Sequence, residues 1–192
     1  MNQSQNIPAL PTIPRTLVLV GLMGAGKTCI GRELANRLGL PFVDADTEIE
    51  AAAGCSIEDI FNMYGEVEFR AGERRVIARL MNDPVHILAT GGGAFLDTKT
   101  RELVREKGIS IWLRASLDLL VNRVSRRTNR PLLKDGNQRE ILERLMEERY
   151  PTYEQADIVV DSGREPPEIT ADRVVGELQN YVAPKGVEAQ DS

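Results

Sequence analysis

Thr16-Leu17-Val18-Leu19-Val20-Gly21-Leu22-Met23-Gly24-Ala25-Gly26-Lys27-Thr28 is the stretch from which the rest of the chain can be read. Its first five residues are apolar or β-branched without a break, the composition of a short buried strand. Beyond it Ile30, Leu34, Ala35 and Leu38 recur at helical spacing, with Arg32, Glu33, Asn36 and Arg37 on the opposite face. Between strand and helix, residues 21–28 fill every required position of G-x-x-x-x-G-K-[ST]. Gly21, Gly24 and Gly26 lack a Cβ, so the backbone can turn tightly and point successive N–H groups inward. The segment Gly24, Ala25, Gly26, Lys27, Thr28 and Cys29 then meets the positive end of a helix, a cradle for β- and γ-phosphates. Lys27 adds a mobile point charge, and the Thr28 hydroxyl can ligate Mg²⁺. These residues imply a nucleoside triphosphate site and leave open where the phosphoryl group goes.

The 192 residues suffice for one well-buried core, read as a single domain over 16–182. Net charge is −5, and no run of Lys or Arg marks a nucleic-acid footprint, so small molecules are the expected partners. The two cysteines, Cys29 and Cys55, have neither metal-ligand spacing nor a disulfide framework. Cys29, in the first turn of the loop's helix, is expected to be small, reduced and half-buried. No apolar stretch approaches the roughly 20 residues that span a membrane. Residues 1–15 carry Pro, Asn and Gln without a hydrophobic core, and read as a loose leader rather than a targeting peptide. Residues 183–192 read as a flexible tail. A cytoplasmic monomer is the expectation.

Downstream, Pro41-Phe42-Val43 begins a second strand that ends at Asp44-Ala45-Asp46. Carboxylates there fall at a strand's C-terminal end, where α/β sheets carry their ligands. Alternation along an extended chain would point Asp44 and Asp46 the same way. Asp46 can equally cap the helix that follows, read as starting at Thr47. Ser56 and Asp59 form a capping box, Gly65 interrupts, and residues 66–82 read as a long helix with Val67 among its apolar positions. Arg70, Glu73 and Arg74 can pair along one of its faces. A third strand, 85–89, contains the only histidine, His86, and ends at Thr90-Gly91-Gly92-Gly93, where another group can approach the backbone. No Walker-B aspartate stands there, so Asp44 is the nearest carboxylate for a metal. A helix over 97–107 and a strand over 109–113 follow. The next helix, from Leu117, leads through Arg123, Arg126, Arg127 and Arg130 into a Pro- and Gly-containing basic loop, read as a mobile lid over 125–138. A helix from Gln138 should stop at Pro151. A fifth strand over 156–161 and a helix over 167–181 complete a parallel five-stranded sheet with helices on both faces, an α/β class.

Taken together, these motifs resemble the shikimate kinase family over most of the chain. The resemblance rests on the phosphate loop, Phe42-Val43-Asp44-Ala45-Asp46-Thr47-Glu48-Ile49, Phe69-Arg70-x-x-Glu73, the triple glycine, Arg130-Pro131-Leu132-Leu133, and Glu148-Arg149-Tyr150-Pro151-x-Tyr153 with Ala156-Asp157. It implies a three-layer α/β/α P-loop NTPase fold with substrate-binding helices inserted over about 46–80. It also implies phosphorylation of the shikimate 3-hydroxyl by ATP with Mg²⁺, in aromatic amino-acid biosynthesis. Under it, Asp46 contacts the shikimate hydroxyls as base, Arg70 and Arg149 hold the carboxylate, and Gly91, Gly92 and Gly93 line the same pocket. Arg130 reaches the ATP phosphates beside Lys27, while Thr28 and Asp44 serve the metal. Arg123 lies against the adenine in competition with Arg126 and Arg127, with Arg164 a weaker candidate, and Glu73 holds Arg70 in place.

Three other readings stand beside it. A gluconate or nucleoside monophosphate kinase shares the loop and lid but does not call for Phe69-Arg70-x-x-Glu73 with a triple glycine. A GTPase switch needs Asn-Lys-x-Asp, which the chain lacks. A non-catalytic ATP module would need a broken acceptor pocket.

Overall fold

In the computed structural model, residues 13–126 and 137–183 are described. Most of the expected lid, with Arg127 and Arg130, lies outside them, as do residues 1–12 and 184–192. The unbroken apolar run β1 (Thr16–Val20) is buried along its whole length because it is the central strand of the sheet. Around it stand β2 (Phe42–Asp44), β3 (Ile87–Ala89), β4 (Gly108–Arg114) and β5 (Ile158–Asp161), all parallel, in the order β2-β3-β1-β4-β5. Leu17 pairs with Ile87 on one side and Ile109 on the other. The chain leaves β1 for one side of the sheet and later crosses to the other, so the C-terminal end of β1 borders the crevice where α/β proteins bind ligands.

Parallel strands need crossovers, supplied by α1 (Lys27–Leu38), α2 (Ala45–Ala53), α3 (Ile57–Leu80), α4 (Thr98–Lys107), α5 (Leu117–Ser125) and α6 (Gln138–Tyr153), and α7 (Pro167–Val182) follows the last strand. α1 packs with α7, α5 with α6, and α4 against β4, giving the expected three layers. α2 and α3 form a lobe with its own apolar cluster of Ile49, Ile60 and Phe69. The Ser56–Asp59 capping box is present, and Gly65 kinks α3 with φ 78° and ψ 175°. Of the leader's described residues, Ile13 packs against the core and Arg15 donates to the Arg105 carbonyl. No helix among the described residues is long and apolar enough to cross a membrane.

Four local expectations are corrected. α2 begins at Ala45, and its cap is Asp44, whose Oδ1 accepts from the Asp46 backbone N–H at 3.1 Å. Asp46 therefore sits in the first helical turn, and strand alternation does not relate the two carboxylates. α6 does not stop at Pro151 but runs to Tyr153, because Tyr153 is drawn fully into the core. Cys29 is exposed and borders the cleft rather than being half-buried. The need for a small residue falls on Gly31, where a Cβ would lie 2.6 Å from the Phe42 ring. Val67, finally, points to solvent at 80 % exposure, since the kink at Gly65 resets the helix face behind it.

Candidate active site

The phosphate loop leaves β1 through Gly21, Gly24 and Gly26 at φ 138°, 83° and 101°, values that L side chains rarely adopt. Its shape is held from the far side of the sheet. Arg123, on α5, shares Nη1 among the carbonyls of Gly24 (3.1 Å) and Ala25 (3.2 Å) and the Ser162 hydroxyl (3.0 Å), and donates Nη2 to the Gly163 carbonyl at 2.5 Å. Ser162, buried at the end of β5, donates its own proton to the Ala25 carbonyl at 2.9 Å. Arg123 thus braces the loop from the side where α5 and the β5–α7 turn meet. Arg126, Pro167 and Thr170 line the same cleft as Arg123. Arg164 borders a separate groove with Arg114 and Tyr150. Lys27 Nζ donates to the carbonyls of Gly21 (2.6 Å) and Leu22 (3.0 Å), so its charge is held within the loop.

The acceptor side is built from four elements that meet the same 610 Å³ cleft. β3 contributes the glycine turn, α2 and α3 contribute Asp46, Arg70 and Glu73, and α6 contributes Arg149. None of the three glycines has a positive φ, so close approach rather than backbone conformation requires Gly91 and Gly93, whereas a Cβ on Gly92 would meet only ordinary contacts. A Cβ on Gly91 would lie 2.8 Å from Glu73 Oε1 and 3.0 Å from Asp46 Oδ1, and a Cβ on Gly93 would land on the Arg70 guanidinium. Arg70 Nη1 donates to Glu73 Oε2 at 2.7 Å, as the i, i+3 spacing suggested. Arg74 instead turns to Asp97, at 2.8 Å, away from that pair. Arg149 reaches in from the opposite side, its Nη1 3.5 Å from where a Gly92 Cβ would be, and its buried Nε has no hydrogen-bond partner. Two guanidiniums flanking a side-chain-free turn suit a planar carboxylate.

Glu73 is 3 % exposed, and its burial pushes its pKa above the ordinary carboxylate value, against the pull of Arg70. Ionising it therefore costs stability as pH rises through its native value, whereas well below the unfolded value the group is neutral in both states. Glu73→Gln is expected to raise the melting temperature relative to the parent more at about pH 7 than at about pH 4, near the unperturbed carboxylate value. Paired thermal melts check this, and a gain confined to acid pH would contradict it.

The donor set also fits a hard cation. Thr28 Oγ1 donates to Asp44 Oδ2 at 3.0 Å, placing a hydroxyl and a carboxylate together beside the loop. Among the described residues no group of three or more His, Cys, Asp or Glu could hold a metal alone. That suits Mg²⁺, which takes one or two protein oxygens and completes its shell with phosphates and water.

The fold and site define a P-loop phosphotransferase acting on a small anionic acceptor. The shikimate kinase family profile matches residues 23–179. A shikimate kinase of Paramagnetospirillum magneticum is 59 % identical over 170 residues, covering 88 % of this chain and 87 % of that one. The solved structure of shikimate kinase from Acinetobacter baumannii in complex with shikimate superposes with a TM-score of 0.85 at 36 % identity, over 88 % of this chain and 96 % of that one. The chain belongs to the shikimate kinase family. A gluconokinase of Sinorhizobium meliloti, at 18 % identity and TM-score 0.54 over 90 % of this chain and 99 % of that one, shares the fold alone.

Of the residues named from sequence, Lys27, Thr28, Asp44, Asp46, Arg70, the three glycines, Arg123 and Arg149 all line the one cleft. Arg164 does not, and Arg130 lies outside the described residues. Sequence reasoning missed Ser162, because a serine after a strand carries no motif, and Pro167 and Thr170, because their helix start reads as ordinary.

Proposed function

We infer that this chain transfers the γ-phosphoryl group of ATP to the 3-hydroxyl of shikimate through the residues gathered in this cleft. The observation that carries the reading is the convergence of Arg70, held by Glu73, and Arg149 on the glycine turn beside Asp46, in the same cleft as the phosphate loop. Arg70 and Arg149 bind the acceptor's carboxylate and thereby orient the ring, leaving its hydroxyls to face Asp46. Asp46 accepts the proton of the 3-hydroxyl as that oxygen bonds to the γ-phosphorus and the bond to the ADP oxygen breaks. The loop amides and Lys27 hold the phosphates and compensate the charge that gathers on them. Arg130 is assigned to the γ-phosphate from the sequence alone. Mg²⁺, when bound, would supply positive charge that offsets the charge on the phosphates. Thr28 would hold it through its hydroxyl, which Asp44 orients by accepting from Oγ1 at 3.0 Å.

ADP release from MgATP with and without shikimate, with gluconate and AMP as control acceptors, tests this directly. Stimulation by shikimate alone is expected. Stimulation by gluconate or AMP instead would overturn the assignment of the acceptor pocket.

Gly93→Ala separates recognition from folding. The atoms nearest the added Cβ are the far end of the Arg70 side chain rather than backbone, so the fold should survive with a modest fall in melting temperature as the Arg70–Glu73 pair loosens. Arg70 must move off the turn, and the shikimate KM should rise about tenfold, the scale of one hydrogen bond between charged groups. Steady-state kinetics with a parallel melt decide it, and an unchanged KM would remove Arg70 from the clamp.

A further inference from the structure

Tyr153 belongs to the quoted Arg149-Tyr150-Pro151-x-Tyr153 stretch, yet neither the fold nor the chemistry above uses its hydroxyl. It is the last residue of α6 and is completely buried. Its ring packs against Trp112 and Tyr150, with centroids 5.9 Å and 6.2 Å away. Tyr150 is itself fixed by donating its hydroxyl to the Ala115 carbonyl at 2.5 Å. The Tyr153 hydroxyl donates to the carbonyl of Gly92, the middle glycine of the acceptor turn. Arg149 lies one helical turn earlier, on the same face, and its Nη1 comes within 3.5 Å of where a Cβ on Gly92 would stand. One buried oxygen therefore holds the turn that this guanidinium flanks. Burial pushes this phenol up to about 12, so it stays protonated and keeps donating to the turn at neutral pH. Arg149 Nε is buried without a hydrogen-bond partner, so the guanidinium's place against the turn depends on where the Tyr153 hydroxyl holds Gly92.

We propose that Tyr153 is a positioning residue for acceptor recognition, its hydroxyl holding the glycine turn and the Arg149 guanidinium in one register and so setting the enzyme's demand for a carboxylate. The proposal rests on Arg149 being a carboxylate clamp. The extension of α6 beyond Pro151 acquires a purpose, since a helix stopped at the proline would not deliver this oxygen to Gly92.

The test compares shikimate with its carboxamide, which keeps the planar shape but not the charge, in the parent enzyme and in Tyr153→Phe. The parent should favour the acid over the amide by about a hundredfold in kcat/KM, a buried charge interaction's worth. Equal use of the two by the parent would overturn the clamp reading itself. In Tyr153→Phe the ring stays in place while the hydroxyl is lost. The shikimate KM is expected to rise about tenfold, the scale of one lost hydrogen bond. The acid-to-amide preference should shrink by the same factor, and the ATP KM should stay within about twofold. A general packing defect would instead shift both substrates' KM values and leave the preference intact. Tyr153→Met fills the space with a flexible apolar chain and must give the same pattern. A parent that prefers the acid, with either folded variant retaining the full preference, would overturn the proposal while leaving the clamp standing.

Discussion

Asp46→Asn is expected to lower kcat by about a thousandfold, the scale of a lost general base, while leaving the ATP KM within about twofold. Asparagine keeps the shape and most hydrogen bonds of the side chain but cannot accept the proton of the attacking hydroxyl. The helix is not at risk, because its cap is Asp44 and the contact between the two residues uses the Asp46 main-chain N–H. Nor is the turn, since the substituted side chain fills the same space beside Gly91. Loop amides, Lys27 and Thr28 are untouched, so nucleotide binding should survive. Single-turnover measurement with both substrates saturating isolates the step. Turnover within about tenfold of the parent would remove Asp46 from proton transfer, because base catalysis contributes at least a hundredfold.

Arg149→Ala is expected to raise the shikimate KM about a hundredfold with a smaller fall in kcat. Removing one partner of a desolvated charge pair costs roughly 2–5 kcal/mol, because the other charge remains in a site without water to replace it. Arg70 stays in position through Glu73 on a different helix, so residual binding should persist. Arg149→Lys should recover little, since an ammonium cannot offer the paired N–H groups of a guanidinium to a planar carboxylate. Initial-rate kinetics in shikimate at saturating ATP give the answer. An unchanged KM would sink the clamp and, with it, the role assigned to Tyr153.

Much of the site was legible because its chemistry is carried by motifs whose geometry is local. The phosphate loop needs only a strand, three glycines and a helix start, all adjacent in the chain, and the three positive φ values fall on those glycines. The Arg70–Glu73 pair was legible for the same reason, being one turn apart on a helix. The errors arose where distant contacts overrode local preference. Pro151 signals a helix end, yet burying Tyr153 beside Trp112 and bonding it to Gly92 outweigh the lost backbone hydrogen bond. Likewise Asp44 and Asp46 looked like two residues of one strand. The helix starts one residue after Asp44, which makes the first a cap and sends the second to the glycine turn.

By itself the sequence determined the order of strands and helices, the phosphate loop and the set of residue types that the acceptor pocket would need. Hydrophobic periodicity and glycine placement act over a few residues, so they can be read without a fold. Only the tertiary structure decided why Gly91 and Gly93 are glycines: Glu73, Asp46 and Arg70 occupy the space a Cβ would need, and none is near them in the chain. It also decided that Arg123 and Ser162 brace the loop from the other half of the sheet, and that Tyr153 reaches Gly92. These are contacts between elements distant in sequence, set by how the sheet and its helices pack, and no local pattern encodes them.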